Sequence, residues 1–309
     1  MIAFGAAITK PDVYATCAEP GIRRAAEAGA PVLARPAAGS ISESYNALLD
    51  EAAGLGDLEA LVLVHQDAEL VDTDFLAIVR GALADPEVGL VGCVGAVGVR
   101  SIAWWEGSVT LANFVNRYDD SGGGDLPAFS WDPADAPPYT QIGEVDTLDG
   151  FVLVFSPWAI ANLRFDEGLS RFHGYDLDLC LQVREQGRKV VTADFRAVHH
   201  RPLEMVPDLD DWVDAHVRVA EKWDGRMGEV GHGAGTWRER ALRAEAETEA
   251  ARVVAYWKTL ELVAQERRLE GALAEARHSL SWKLTKPLRL LGADRNRAAR
   301  SRVSPTYSR

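Results

Sequence analysis

The chain has 309 residues and a net charge of −13, with 47% apolar residues and three cysteines. That length suits one large α/β domain plus an appendage, and the apolar share supports a sizeable core. An acidic body argues against general nucleic-acid binding, and no apolar run approaches the roughly 18–20 residues that a membrane span needs. The charge is uneven. Residues 277–309 hold nine Lys/Arg against the single acid Asp294, which leaves −21 on residues 1–276. Cys17, Cys93 and Cys180 are widely spaced among apolar neighbours, which reads as buried free thiols in a reducing compartment. MIAFGAAITKPD lacks the basic region and long apolar stretch of a signal peptide, so the expected location is cytoplasmic.

In chain order, IAFGAAIT (2–9) reads as a strand and PGIRRAAEAGA (20–30) as a helix. PVLARP (31–36) reads as a short strand, and SISESYNALLDEAAG (40–54) as a helix capped by Ser40 or Ser42. ALVLVHQD (60–67) is apolar up to His65, as in a strand buried on both faces of a parallel sheet. A helix around 72–84 and a strand around 88–94 continue an alternation that defines a doubly wound α/β domain. Residues 104–143 break it with SGGGD and DPADAPP, the composition of a long loop. Trp104, Trp105, Tyr118, Trp131 and Tyr139 in that loop either pack it down or offer a sugar-stacking platform. VDTLDGFVLVFSP (145–157) restores a strand and WAIANL (158–163) a helix. DLDLCLQVREQG (176–187) is an amphipathic helix ended by Gly187, and KVVTADFRAVHH (189–200) a last strand. Beyond Pro202 the pattern is helical: a connector over 206–235, an arm over 236–292 with a weak coiled-coil tendency, and a basic, disordered tail over 293–309.

Three constellations carry chemistry. The first is Asp67 in VLVHQDAEL, an acid at the end of a buried parallel strand, where ligands of open α/β sheets bind. A carboxylate there suits Mg²⁺ or Mn²⁺, although an acid after a strand also serves as a cap or turn residue. The second is Asp176 and Asp178 in FHGYDLDLCLQ, at a helix start where the dipole and free N–H groups favour carboxylates in any case. Residues two apart point in different directions, so the two acids do not serve one site in the same way. The third is His199–His200 after the last strand, either exposed or able to ligate a metal.

The ordered set AAITKPDVYATCAEPGI, SISESYNALLDEA, LVLVHQDAEL, VDTLDGFVLVF and FHGYDLDLCLQVREQG followed by VHH resembles family 2 glycosyltransferases of the GT-A fold, in the streptomycin-biosynthesis-type branch. The resemblance covers roughly residues 1–201. It implies a GT-A-type doubly wound, mainly parallel α/β domain over 1–205, followed by the C-terminal helical arm. The donor half would span about 1–100, a mobile loop about 104–143, and the acceptor half about 144–205. His65-Gln66-Asp67 stands where the family has its D-X-D motif, so the resemblance makes Asp67 the metal ligand and puts His65 in place of the first acid. Thr9, Asn46, His65 and Gln66 fall on the donor side. Tyr175-Asp176 matches the family's E-D motif, which makes Asp176 the catalytic base. Asp149, Gly150, Tyr175 and Asp178 fall on the acceptor side. The register from Gly187 favours His200 over His199 in the metal shell.

The implied activity is inverting transfer of a hexosyl or deoxyhexosyl group from a nucleoside-diphosphate sugar to a hydroxyl of a glycan or lipid-linked glycan, as in polysaccharide biosynthesis, with Mn²⁺ or Mg²⁺ as cofactor. One rival is a nucleotidyltransferase, which needs a Gly-rich, basic phosphate loop that ITKPDVYATCAEPG lacks. The other is a non-catalytic sugar-nucleotide-binding or scaffold protein whose site has degenerated at His65 and Tyr175. SLSWKLTKPLRLLG (279–292) mixes Trp and Leu with Lys and Arg, as an interfacial segment does. It suggests peripheral attachment at the inner face of the cell membrane, self-association through 236–292, or a solvated tail.

Overall fold

The computed structural model describes residues 1–104, 109–112, 114–117, 125–127, 143–200, 208–227, 262, 265–275 and 277–278. Apolar alternation sets the frame. Strand β1 (Ile2–Ile8) puts Ile2 and Phe4 on one face and Ala3 on the other, and β3 (Ala60–Val64) splits Val62 and Val64 from Leu61 and Leu63. Both faces are therefore buried. Helices α2 (Ala18–Ala25) and α4 (Phe75–Ala82) cover the first with Ile22, Phe75 and Val79. Helices α3 (Ile41–Gly54), α5 (Pro157–Asn162) and α6 (Tyr175–Glu185) cover the second with Leu48, Ile160 and Val183.

The main sheet has seven strands. The others are β2 (Val32–Pro36), β5 (Val88–Gly92), β10 (Gly143–Glu144), β12 (Val152–Phe155) and β13 (Lys189–Thr192), in the order β10-β13-β5-β12-β3-β1-β2. Five run in one direction, while β12 and β10 are reversed. This is the expected α/β architecture with a mainly parallel sheet. Because β12 is antiparallel, its start comes to the same edge as the end of β3. A three-stranded sheet joins β6 (Val94–Val97), β7 (Val109–Ala112) and β11 (Thr147–Leu148). A four-stranded one joins β4 (Ala68–Leu70), β8 (Phe114–Arg117), β9 (Asp125–Pro127) and β14 (Ala197–His200).

Several boundaries differ from the sequence reading. The first helical stretch begins earlier, with α1 (Pro11–Thr16), where Pro11 starts the helix at a position whose N–H has no helical partner to lose. Ser40 rather than Ser42 caps α3, in a capping box: Ser40 Oγ accepts from Glu43 N at 3.1 Å and the Glu43 carboxylate accepts from Ser40 N at 2.7 Å. The stretch 189–200 is two strands in different sheets. The chain bends between them because buried Asp72 draws in Arg196, taking Nε at 2.7 Å as well as Nη2 and the backbone N–H. Strands β7, β8 and β9 lie inside the expected loop 104–143, and its Trp105, Tyr118, Trp131 and Tyr139 lie outside the described residues. Past Pro202, α7 (Leu209–Lys222) packs Trp212, Val213 and Val219 against Leu177 and Leu181 of α6.

Residues 1–248 form one unit and 249–309 a second, in which 265–275 and 277–278 are helical and exposed. The expected segment 279–292 and the tail 293–309 lie outside the described residues. No helix of the described residues is long and apolar enough to cross a membrane. All three cysteines are buried and none is in a disulfide.

Candidate active site

Strand β3 ends at Val64, and the chain turns through His65, Gln66 and Asp67 into β4, with Ala68 N donating to His65 O at 3.0 Å. The turn is fixed on two sides, by His65 N on Phe151 O at 2.9 Å and by His200 N on Asp67 O at 2.8 Å. Strand β14 pairs antiparallel with β4 and sets His199 opposite Ala68. Successive strand side chains alternate in direction. His199 therefore faces the turn, with Nε2 at 3.6 Å from Asp67 Oδ1, and His65 Nδ1 lies 3.9 Å from the same oxygen. One ligand atom from each of these three residues falls within 4.8 Å of the others. His200 points the other way, with Nε2 at 3.3 Å from Glu69 Oε2. The register count had favoured His200; strand alternation brings His199 to Asp67 instead.

Neighbours orient each group. The His199 ring stacks on Phe151 at 4.6 Å and 8°, and its buried Nδ1 has no hydrogen-bond partner among the described residues. His65 Nε2 shares a hydrogen bond of 2.8 Å with the Tyr175 hydroxyl. Burial alone would raise the Asp67 carboxyl, but adjacent His199, and then His65, outweigh it and hold Asp67 well below the usual carboxylate range. Tyr45, Phe165 and Tyr175 wall this corner with ring centroids 5.4–6.1 Å apart.

Asp176 lies in the first turn of α6, behind Gly174, which takes the left-handed conformation at φ 75°. Its Oδ1 accepts from Leu177 N at 2.9 Å and its Oδ2 from Gly150 N at 3.2 Å. It stays partly accessible, yet its surroundings push its pKa up to about 7, through burial first and then the charge of Asp149. Gly150 also leaves room for the neighbouring Tyr175 side chain: a Cβ there would lie 2.1 Å from the Tyr175 hydroxyl oxygen. Asp149 itself ties the turn, its Oδ1 accepting from Phe151 N at 3.1 Å.

The remaining expected residues fall into two groups. Thr9 and Gln66 meet: Gln66 Oε1 accepts from Thr9 N and Lys10 N at 2.9 and 2.7 Å, and its Nε2 donates to Thr9 Oγ1 at 2.7 Å. Gln66 thereby pins the end of β1 beside the turn. Asn46 is directed elsewhere. Its amide bonds both Phe165 N and O, at 2.8 and 2.9 Å, and donates to Glu167 at 2.8 Å, holding the 165–167 segment. The acceptor-side role expected for Asp178 is corrected. Asp178 is fully buried, with Gln182 on one oxygen and Trp223 Nε1 (2.7 Å) and Lys222 (2.8 Å) on the other, so it ties α7 to α6. Sequence reasoning missed Phe151 and Tyr45. Only their places inside the VDTLDGFVLVF and SISESYNALLDEA stretches marked them.

These observations define an α/β protein with a carboxylate, two imidazoles and a second acid gathered at the carboxyl edge of its sheet. The chain belongs to the Glycosyltransferase like family, which it matches over residues 8–214, and it is a glycosyltransferase. It is 30% identical over 217 residues to the streptomycin biosynthesis protein StrF of Streptomyces griseus, covering 69% of this chain and 71% of that one. It is 28% identical over 181 residues to the O-antigen biosynthesis protein RfbC of Myxococcus xanthus, covering 55% of this chain but only 13% of that longer protein. Among solved structures, the mannosyltransferase PcManGT from Pyrobaculum calidifontis in complex with GDP-Man and Mn²⁺ is similar at a TM-score of 0.42 and 13% identity, covering 94% of this chain and 83% of that one.

Proposed function

We propose that the chain transfers a sugar, with inversion, from a nucleoside-diphosphate sugar to a hydroxyl of a glycan or lipid-linked glycan, with a divalent cation held by Asp67, His199 and His65. The observation that carries this reading is the convergence of those three groups at the end of β3, linked through the His65–Tyr175 hydrogen bond to α6, whose first turn carries Asp176. The donor set fits a cation. The Tyr175 hydroxyl occupies His65 Nε2 and turns Nδ1 toward Asp67, while the Phe151 ring aims His199 Nε2 at the same oxygen. One carboxylate with two imidazoles favours Mn²⁺ over Mg²⁺, which prefers oxygen ligands. Such a cation, when bound, supplies positive charge against the leaving diphosphate.

Asp176 then acts as the general base on the acceptor hydroxyl. A carboxyl whose pKa lies at about 7 is ionised often enough near neutral pH and is basic enough to hold the proton it takes. The Gly150 and Leu177 N–H groups fix both of its oxygens, so its orientation is set before substrate arrives. Gln66 acts on the donor side by holding the Thr9–Lys10 backbone. A lipid-linked acceptor would also give the basic 279–292 segment a membrane surface to meet.

The test is a thermal-shift panel of nucleoside diphosphates and their sugars, with and without Mn²⁺. Stabilisation by at least one of them that requires Mn²⁺ is expected. Asp67→Asn should lose it, whereas Asp176→Asn should keep it and lose transfer. Normal transfer by Asp176→Asn would refute the base assignment.

A further inference from the structure

A pocket of about 440 Å³ opens beside the site, between the start of α3, residues 167–171 and α7. Leu169 is the only apolar side chain lining it among the described residues. Four carboxylates face two guanidinium groups there. Three of the carboxylates are already engaged: Glu43 on Ser40 N, Glu167 on Asn46, and Asp211 on Arg171 N. Arg218 donates to Gly168 O. The Asp214 carboxylate and the Arg171 guanidinium, both exposed, have no side-chain partner among the described residues.

The turn 170–173 divides this pocket from the catalytic corner. Ser170 Oγ accepts from Phe172 N at 3.2 Å and His173 N at 2.7 Å, and donates to His173 O at 2.9 Å. On this tied turn Arg171 lines the pocket, while the next residue, Phe172, presents its ring to the catalytic side, 5.8 Å from His65 and 6.2 Å from Tyr175. Phe172 is 48% exposed. An open aromatic face beside a pocket of hydrogen-bonding groups matches the two surfaces of a sugar, whose C–H face stacks on rings and whose hydroxyls both donate and accept.

We propose that the acceptor is a saccharide of at least two units. Phe172 stacks on the unit nearest Asp176, and the pocket holds the next unit through Asp214, Arg171 and Arg218. The excess of carboxylates repels anions, so the unit in the pocket carries neither phosphate nor carboxylate. This inference rests on the sugar-transfer reading above.

The test is binding of the labelled full chain, with Mn²⁺ and the stabilising nucleoside diphosphate, to an array of neutral and anionic glycans. Neutral glycans of two or more units should dominate. Asp214→Ala, Arg171→Ala and Phe172→Ala should each weaken the best of them on the order of tenfold, with unchanged melting temperature and unchanged nucleotide binding. No glycan binding, preference for anionic glycans, or equal binding by Asp214→Ala and Arg171→Ala would overturn the subsite. Failure of the wild-type chain to bind any nucleoside diphosphate would instead defeat the sugar-transfer reading on which it rests.

Discussion

Replacing Asp176 with Asn should abolish transfer and, above neutral pH, make the protein more stable. The folded carboxyl is carried from 3.8 to about 7 by burial and by Asp149. Below the ordinary carboxyl range, folded and unfolded chains both hold the proton and stability is unaffected. As pH rises past about 4 the unfolded chain releases it while the folded chain keeps it, so wild-type stability falls until both ionise near 7. The full difference corresponds to about 4 kcal/mol, and partial access to water reduces it to about 2–4 kcal/mol. Asn never charges and escapes this loss. It has one carbonyl oxygen where Asp176 has two acceptors, so either the Gly150 or the Leu177 N–H loses its partner, at about 1 kcal/mol. Urea unfolding with chelator present should find the variant about 1 kcal/mol less stable than wild type near pH 4 and about 1–3 kcal/mol more stable near pH 8. A difference that does not change with pH, or a variant less stable at alkaline pH, would refute the reasoning.

Two further substitutions probe the surroundings of the site. Gly150→Ala drives a Cβ against the Tyr175 hydroxyl, so melting should show a loss of about 1–3 kcal/mol and Mn²⁺ titration a weaker site, because His65 loses its brace. Asp178→Ala should cost about 1–3 kcal/mol by denaturant unfolding, since it leaves the buried Trp223 N–H and the Gln182 amide without their acceptor in the seam between α6 and α7, while Lys222 keeps Asp166 at 2.6 Å.

Most of the frame was legible in the sequence. The run 60–64 is apolar because both faces of β3 are covered, and the serines at 40 and 42 marked a helix start, of which Ser40 is the cap. What failed was decided by contacts distant in sequence. Nothing within KVVTADFRAVHH marks a break, because the bend comes from Asp72, more than a hundred residues earlier. Asp178 looked like a helix-start acid near the acceptor, since the partners that bury it, Lys222 and Trp223, lie on and just beyond α7, which the sequence suggested was a connector. The choice between His199 and His200 turned on one residue of strand register, and one residue reverses the face.

Asp67, His199 and His65 together form the proposed cation centre. Titration of Mn²⁺ followed by its electron paramagnetic resonance signal, which fades as free ion is bound, tests it directly. Wild type and His200→Ala should bind Mn²⁺ comparably in the presence of nucleoside diphosphate, while His199→Ala should lose at least tenfold in affinity. Binding that survives His199→Ala and fails in His200→Ala would contradict the account.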